Sequence, residues 1–414
     1  MKDQILSNLH NPAHLEKLYR ADKAAFKRTF NTLYPDLQDS VIAKYWNERL
    51  NFAGGGIPGS TGSSKELLFA IIASLLAGVI AKFPAFLPID EEFFYFRNIG
   101  FVIFPLLMVY FAWRNKLDGP KIAFSAGATL AGMLFINLFP DVEKSDTLTL
   151  SCIHLLLFLW SVLGFTFVGE RRNNEEKRLS FLKYNGDLVV ITTLILIAGA
   201  IMTGITIGLF SLIGFHIEEF YFKNVVVFGL AAAPIVGTYL TLVNPHLVGK
   251  VSPVIAKLFS PLVLIMLVIY LVAIAYSGKD PYNDRDFLLM FNALLVGVMA
   301  IIFFSVAETS RTIEQKAEVW ILFLLSAVTI VVNGIALSAI LFRISEWGIT
   351  PNRAAVLGGN VLILINLLLV TMQLFRVLSK EAPTNRIGKT IAVYLPVYFL
   401  WTIVVTFLFP LIFG

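Results

Sequence analysis

Eleven stretches of this chain are apolar for long enough to cross, or nearly cross, a lipid bilayer: Leu67–Phe83, Ile99–Trp113, Ile122–Phe139, Leu148–Val168, Leu188–Phe215, Val225–Val243, Val254–Tyr276, Phe287–Ala307, Val319–Phe342, Ala354–Phe375 and Ile391–Phe413. A hydrocarbon layer about 30 Å thick takes about 20 helical residues. The second stretch falls short unless its helix starts near Phe93. Inside lipid the backbone has no water to bond to, so only helices and closed barrels can span it. These runs are continuously apolar rather than alternating, which excludes a barrel. A hydrophobic content of 57% and a mean hydropathy of +0.76 agree. The expected fold is therefore all-α: a polytopic integral membrane protein of about 11 transmembrane helices with a small N-terminal helical module.

Lys and Arg placement orients the chain, because positive charge is retained on the cytoplasmic side. With the N-terminus in the cytoplasm, the five inner loops hold 16 Lys+Arg and the outer side holds 8 against 12 Asp+Glu. The N-terminal segment adds 9 inside. The C-terminus then lies on the outer, periplasmic side. Residues 1–66 are polar, and no signal peptide is expected ahead of the first span. Cys152 is the only cysteine, so no internal disulfide and no cysteine metal site can form. The net charge of +5 reflects orientation and gives no reason to expect nucleic acid as a partner. A bacterial inner membrane suits these features.

Three regions are expected. Residues 1–52 form a cytoplasmic helical module of two amphipathic helices, with Leu15, Leu18, Ala25, Phe26, Phe30 and Leu33 on one face of the first. Pro35 ends that helix, and Asp36 or Asp39 caps the second, whose apolar residues are Val41, Ile42, Tyr45, Trp46 and Leu50. Two such helices bury little, so residues 12–50 call for a covering partner: the membrane unit, a second copy or a cytoplasmic protein. Residues 53–66 read as a Gly/Ser linker. Its G-x-G-x-x-G at Gly54, Gly56 and Gly59 contains Pro58 and follows no strand, which argues against a dinucleotide site. Residues 67–414 are the transmembrane domain.

That domain repeats a peptide. EEFFYFRN (91–98) and EEFYFKN (218–224) each lie in an outer hairpin, and EWGITPN (346–352) keeps the same Glu-x5-Asn spacing. Further matches fall in one register: Phe-Val-Gly-Glu170 with Ser-Val-Ala-Glu308, His154 with Asn292, and Leu-Phe-Pro at 138–140 and 408–410. The pattern implies parallel repeats of four, four and three helices, over 67–183, 184–315 and 316–414.

The repeated hairpins supply the first candidate site. Glu92, Arg97 and Asn98, Glu218, Lys223 and Asn224, and Glu346 and Asn352 could gather charge near one axis at the outer face. The competing and favoured reading is that Glu or Asn caps the following helix while the aromatics form an interfacial belt. In the third copy Arg343 and Arg353 flank Glu346, and an ion pair partly desolvated by Trp347 is expected there. Intramembrane polar residues come second: Asn137, His154, Asn292, Asn333, Asn366 and Gln373, with His154, Asn292 and Asn333 the leading candidates. Such residues mark solute paths or simply bond between helices. Glu170 and Glu308 could pair with Arg171 and Arg311. Small-residue spacings such as Gly204-x3-Gly208 and Gly229-x3-Ala233-x3-Gly237 allow close helix packing. No catalytic motif, cofactor signature or metal-ligand pattern is present.

At LFRISEWGITPNRAAVLGGN (341–360) the chain resembles the bacterial polytopic membrane proteins of unknown function DUF4153, found in Bacteroidota. Arg343, Glu346, Trp347, Gly348, Thr350 and Arg353 carry the likeness. It implies a multi-pass membrane fold and no established activity, and it gives Arg343, Glu346 and Arg353 weight as a functional cluster. The functions compatible with the sequence are transport of a small solute or ion, a membrane sensor or scaffold acting through the N-terminal module, and a lipid-directed enzyme, in that order. A mid-membrane cavity lined by His154 and Asn292 would single out transport.

Overall fold

A computed structural model describes residues 2–51, 64–140, 145–169, 175–212, 216–243, most of 260–272, 282, 285–309 and 316–413. The glycine-rich stretch 53–63, Glu170, Arg171, Arg172 and Arg311, most of the expected span 254–276, the side chain of Glu308 and the surroundings of Gly208 lie outside the described residues. The chain divides into two compact units, Met1–Thr61 and Gly62–Gly414.

The first unit has four helices where the sequence suggested two: α1 (Lys2–Ser7), α2 (Pro12–Ala21), α3 (Lys23–Leu33) and α4 (Val41–Asn51). Asp22 splits the expected first helix. Its backbone is extended, and its carboxylate accepts from Ala25 N–H at 2.9 Å to start α3. Tyr34–Leu37 form a tight turn around Pro35. Ser40, rather than Asp36 or Asp39, caps α4, its Oγ accepting from Ala43 N–H at 3.3 Å. The core gathers Ile5, Leu15, Phe26, Phe30 and Trp46. Val41 and Tyr45 stay outside it, 63% and 72% exposed.

The second unit is an all-α, multi-pass membrane domain. Nine helices among its described residues are long and apolar enough to cross a bilayer. They are α5 (Ser64–Ala81), α6 (Glu91–Arg114), α7 (Gly119–Leu138), α8 (Asp146–Val168), α9 (Glu175–Leu212), α10 (Glu218–Val243), α12 (Lys316–Trp347), α13 (Pro351–Leu378) and α14 (Asn385–Phe413). Between α10 and α12 lie described helical residues within 260–272 and α11 (Arg285–Thr309), whose apolar part is Phe291–Ala307. The second span reaches full length because α6 starts at Glu91, two residues before Phe93.

Two apolar cores organise the bundle. One joins α5–α8 and α10 with Phe181 and Tyr184 of α9, and the other joins α11–α14 with Leu182 of α9; Trp160 of α8 packs against both. Small residues set the closest approaches. Gly78 of α5 leaves room for the Phe228 ring. A side chain at Gly237 of α10 would lie 2.7 Å from Thr192 Oγ1 of α9. Lys82 donates to the Asn224 amide oxygen, Arg97 bonds Phe139, and Ala355 packs with Leu150. These contacts put all three Glu-x5-Asn hairpins at one end of the bundle. The starts of α9 and α14 and the end of α11 line a shared cavity at the other.

Candidate functional site

The hairpins share an end but do not pool their charges. Among the described residues Glu92 and Glu346 form no ion pair, and Glu218 meets only His216, at 3.8 Å. Capping also falls to other residues. Asp90 caps α6, accepting from Phe93 N–H at 2.8 Å. Thr350 caps α13, accepting from Arg353 N–H at 3.3 Å, and Gly348 makes the turn with φ +75°. No side chain caps the helix at Glu218, which continues through a π turn over Tyr221–Val226. The expectation that Glu or Asn caps these helices is therefore corrected. In the first and third hairpins short Asp and Thr side chains just ahead of the first turn reach the free N–H groups.

The aligned residues of the hairpins do different jobs. Arg97 is 3% exposed and donates to Ile136 O at 2.7 Å and Phe139 O at 2.8 Å, with its guanidinium 4.5 Å above the Phe93 ring. It satisfies the last carbonyls of α7. Asn98 and Asn137 exchange two amide hydrogen bonds of 2.8 Å, tying α6 to α7. In the second copy Lys223 pairs instead with Glu219 at 2.6 Å on the surface, while Asn224 holds Lys82.

The third copy lacks the expected Arg–Glu pair. Arg343 Nε donates to Tyr282 O at 2.8 Å, and Arg353 donates to Trp347 O at 2.9 Å and Gly348 O at 2.6 Å. Both guanidiniums lie over the Trp347 ring, at 5.5 and 5.7 Å from its centroid. The indole face and the carbonyls of the turn attract the two cations, and exposed Glu346 remains in solvent.

A second set of residues does come together. Asn333 of α12 and Asn360 of α13 are 0% and 3% exposed. Asn333 Nδ2 donates to Asn360 O at 3.2 Å, and Asn360 Nδ2 donates to Asn292 Oδ1 of α11 at 2.8 Å. Further along, Asn366 Nδ2 donates to the Tyr398 hydroxyl at 3.1 Å, and Thr371 Oγ1 donates to Ser326 Oγ at 2.9 Å. On α12 the residues Ser326, Thr329 and Asn333 stand at i, i+3 and i+7, so they share one face, and all three are fully buried. A polar row thus runs between α12 and α13, from the Ser326–Thr371 pair to Asn333 and Asn360, and reaches α11 at Asn292; Asn366 lies on another face of α13 and joins α14. The Oδ1 of Asn333 is buried in this row without a hydrogen-bond partner, and so, on the other face of α13, are the Oδ1 of Asn366 and the Oε1 of Gln373.

His154 stands apart from this row. It is half-buried, and its Nδ1 bonds Leu150 O of its own helix at 2.9 Å. Asn292 joins Asn360 instead, and the residues that gather around it do not include His154. The sequence reading named Asn292, Asn333, Asn366 and Gln373 and missed Asn360, Ser326, Thr329, Thr371 and Tyr398. The spacing of 326, 329 and 333 was a usable signal.

At the opposite end a cavity of about 420 Å³ is lined by Glu175, Glu176, Lys183, Asn385 and Lys389, among others. Lys389 pairs with Glu175 at 3.1 Å, and Lys183 pairs with Asp187 at 3.5 Å. Among the described residues no group of His, Cys, Asp and Glu could hold a metal ion. Comparisons with protein families, with curated proteins and with solved structures give no match.

Proposed function

We propose that the membrane unit moves a small polar solute along the row between α12 and α13. One observation carries this reading: fully buried Asn333, its amide orientation fixed by the Asn360 carbonyl, keeps its amide oxygen unpaired inside an apolar bundle. A buried polar group left without a partner costs about 1–3 kcal/mol. A row assembled only to join helices would be expected to close its own hydrogen bonds. A vacant acceptor in such a row suits a solute that binds weakly and moves on. The charge distribution supports a bacterial inner-membrane setting with the N-terminus in the cytoplasm, and residues 343–353 support a relation to the DUF4153 proteins. The full chain in proteoliposomes should exchange a panel of small labelled solutes faster than empty vesicles, and Asn333→Leu should abolish the gain. Equal exchange with and without protein across the panel refutes transport.

A second reading has its own observation. The N-terminal unit exposes Val41 and Tyr45 beside a groove lined by Trp46, Arg20 and Arg49. A sensor or scaffold acting through that surface would lose function on Tyr45→Ala and keep it in Asn333→Leu, the reverse of the pattern expected for transport.

A further inference from the structure

A groove opens on the outside of the bundle at the first hairpin, between α6 and α8. It encloses about 680 Å³, a volume typical of small-molecule sites. Glu91 and Glu92 stand at its rim, and Phe96 and Ile99 of α6 and Ile153 and Leu156 of α8 line it below. Phe96, Ile99 and Ile153 are exposed apolar side chains on a membrane-spanning bundle, so the groove faces lipid. Gly100 closes its deep end: a methyl group there would lie 2.8 Å from Leu156 Cδ2, so the two helices touch at that level. Between Glu92 and Ile99 the groove descends about 10 Å at 1.5 Å per residue. That depth stays within one leaflet of a hydrocarbon layer about 30 Å thick. The groove is thus polar where the headgroups lie and apolar where the chains lie.

The rim carries negative charge that the protein leaves unanswered. Among the described residues neither Glu91 nor Glu92 forms an ion pair. The second hairpin shows what is different. Aligning Glu92 with Glu218 sets Phe93 against Glu219 and Arg97 against Lys223. Lys223 neutralises Glu219 one turn earlier, at 2.6 Å, and His216 lies 3.8 Å from Glu218. In the first hairpin Arg97 finds the Phe93 ring at that place and turns inward to the Ile136 and Phe139 carbonyls. Its charge is held inside the bundle, and the two carboxylates stay at the rim. Lys223 is within electrostatic reach of Glu91 but gives its short contact to Glu219. The dipole of α6 favours acids in its first turn, which explains why they are tolerated there and supplies no counter-charge to meet them at the groove.

We infer that the α6–α8 groove holds a phospholipid whose headgroup ends in a primary ammonium, of the phosphatidylethanolamine class, with the ammonium at Glu91 and Glu92 and an acyl chain along Phe96, Ile99, Ile153 and Leu156. The fit is one of sign and of level. An ammonium brings positive charge and three N–H donors to two carboxylates that only accept. A headgroup of net negative charge brings no such donor and is repelled by both. A trimethylammonium brings the charge without the donors. The inference does not depend on the transport reading.

Native mass spectrometry of the full chain tests the inference, after equilibration with equal amounts of phosphatidylethanolamine, phosphatidylcholine and phosphatidylglycerol of matched chains. Phosphatidylethanolamine should be retained about fivefold over each of the others, the discrimination expected of one ion pair of about 1 kcal/mol at a partly exposed site. The double variant Glu91→Gln, Glu92→Gln should retain the three lipids alike, and Glu346→Gln, in the third hairpin, should behave as the parent. Ile153→Trp, which fills the groove and leaves both acids in place, should also lose the preference. Heating midpoints in detergent show that each variant is folded, and the single variant Glu92→Gln replaces the double one if that one is not. Equal retention of the three lipids by the parent, or a preference for phosphatidylglycerol, overturns the inference. Equal retention of the ethanolamine and choline lipids above phosphatidylglycerol overturns the primary-amine class. A preference that survives both the Gln variants and Ile153→Trp overturns the groove as its site, and so does a co-purifying polypeptide, in place of lipid, that the double variant loses.

Discussion

Replacing Arg97 by Met should destabilise the membrane unit more than any substitution at the aligned Lys223. Arg97 is 3% exposed and donates to two carbonyls at 2.7 and 2.8 Å. Hydrogen bonds to a charged group contribute about 1.5–3 kcal/mol each. The guanidinium over Phe93 at 4.5 Å adds about 1 kcal/mol. Against this, Met no longer has to bury a charge, which returns several kcal/mol. The balance is a net loss of about 2–4 kcal/mol. Arg97→Lys keeps the charge but not the fork, and should fall between parent and Met. Lys223 is exposed and paired only at the surface, so Lys223→Met should change stability by less than about 1 kcal/mol. The assay is the fraction of full-length protein that stays monodisperse in detergent after graded heating. Parent-like behaviour of Arg97→Met, or a Lys variant worse than Met, would refute the reasoning.

Other outcomes follow from the same contacts. Trp347→Ala should loosen the α12–α13 hairpin by about 1–2 kcal/mol through loss of two cation–π contacts, whereas Glu346→Gln should leave the heating midpoint unchanged. In the N-terminal unit, the hydrogen bond from Arg20, aided by Arg49, holds the Glu16 carboxyl below the usual carboxylate range. Its contribution to stability is then present above the unfolded-state value near 4.5 and fades as pH falls through the lower folded value. Hydrogen exchange of residues 12–50 in the full chain should rise on that acid side, and less so in Glu16→Gln. Cysteines at Ser345 and Gly119 in a Cys152→Ser background should label from opposite sides of the membrane, Ser345→Cys from outside; the reverse pattern contradicts the charge-based orientation.

The spans were legible because apolar length is a local property that the bilayer reads directly. The start of α6 was legible too, since Asp90 ahead of Glu91 is a strong cap that brings the short second run to full length. Thr350 before Pro351 carried a similar signal, yet the Glu-x5-Asn spacing drew attention past it. Asp22 was obscured because apolar residues continue on one face across it. The role of Arg97 could not be read, because it depends on where the last carbonyls of α7 come to rest, 39 to 42 residues later in the chain. Half of the polar row was legible in the 326, 329, 333 spacing. Its other half needed the hairpin register that sets Ser326 against Thr371 and Asn333 against Asn360.

The account turns on whether the α12–α13 row opens to water. In a Cys152→Ser background, Asn333→Cys and Val331→Cys place thiols at similar depth on one helix, the first in the row and the second, 56% exposed, on the outer surface of the bundle facing lipid. A small neutral hydrophilic methanethiosulfonate reagent, applied to the full chain in bilayers, should modify Asn333→Cys and leave Val331→Cys unreacted over the same period. If Asn333→Cys stays as inert as Val331→Cys while Ser345→Cys reacts fully, the row is dry packing and carries no solute.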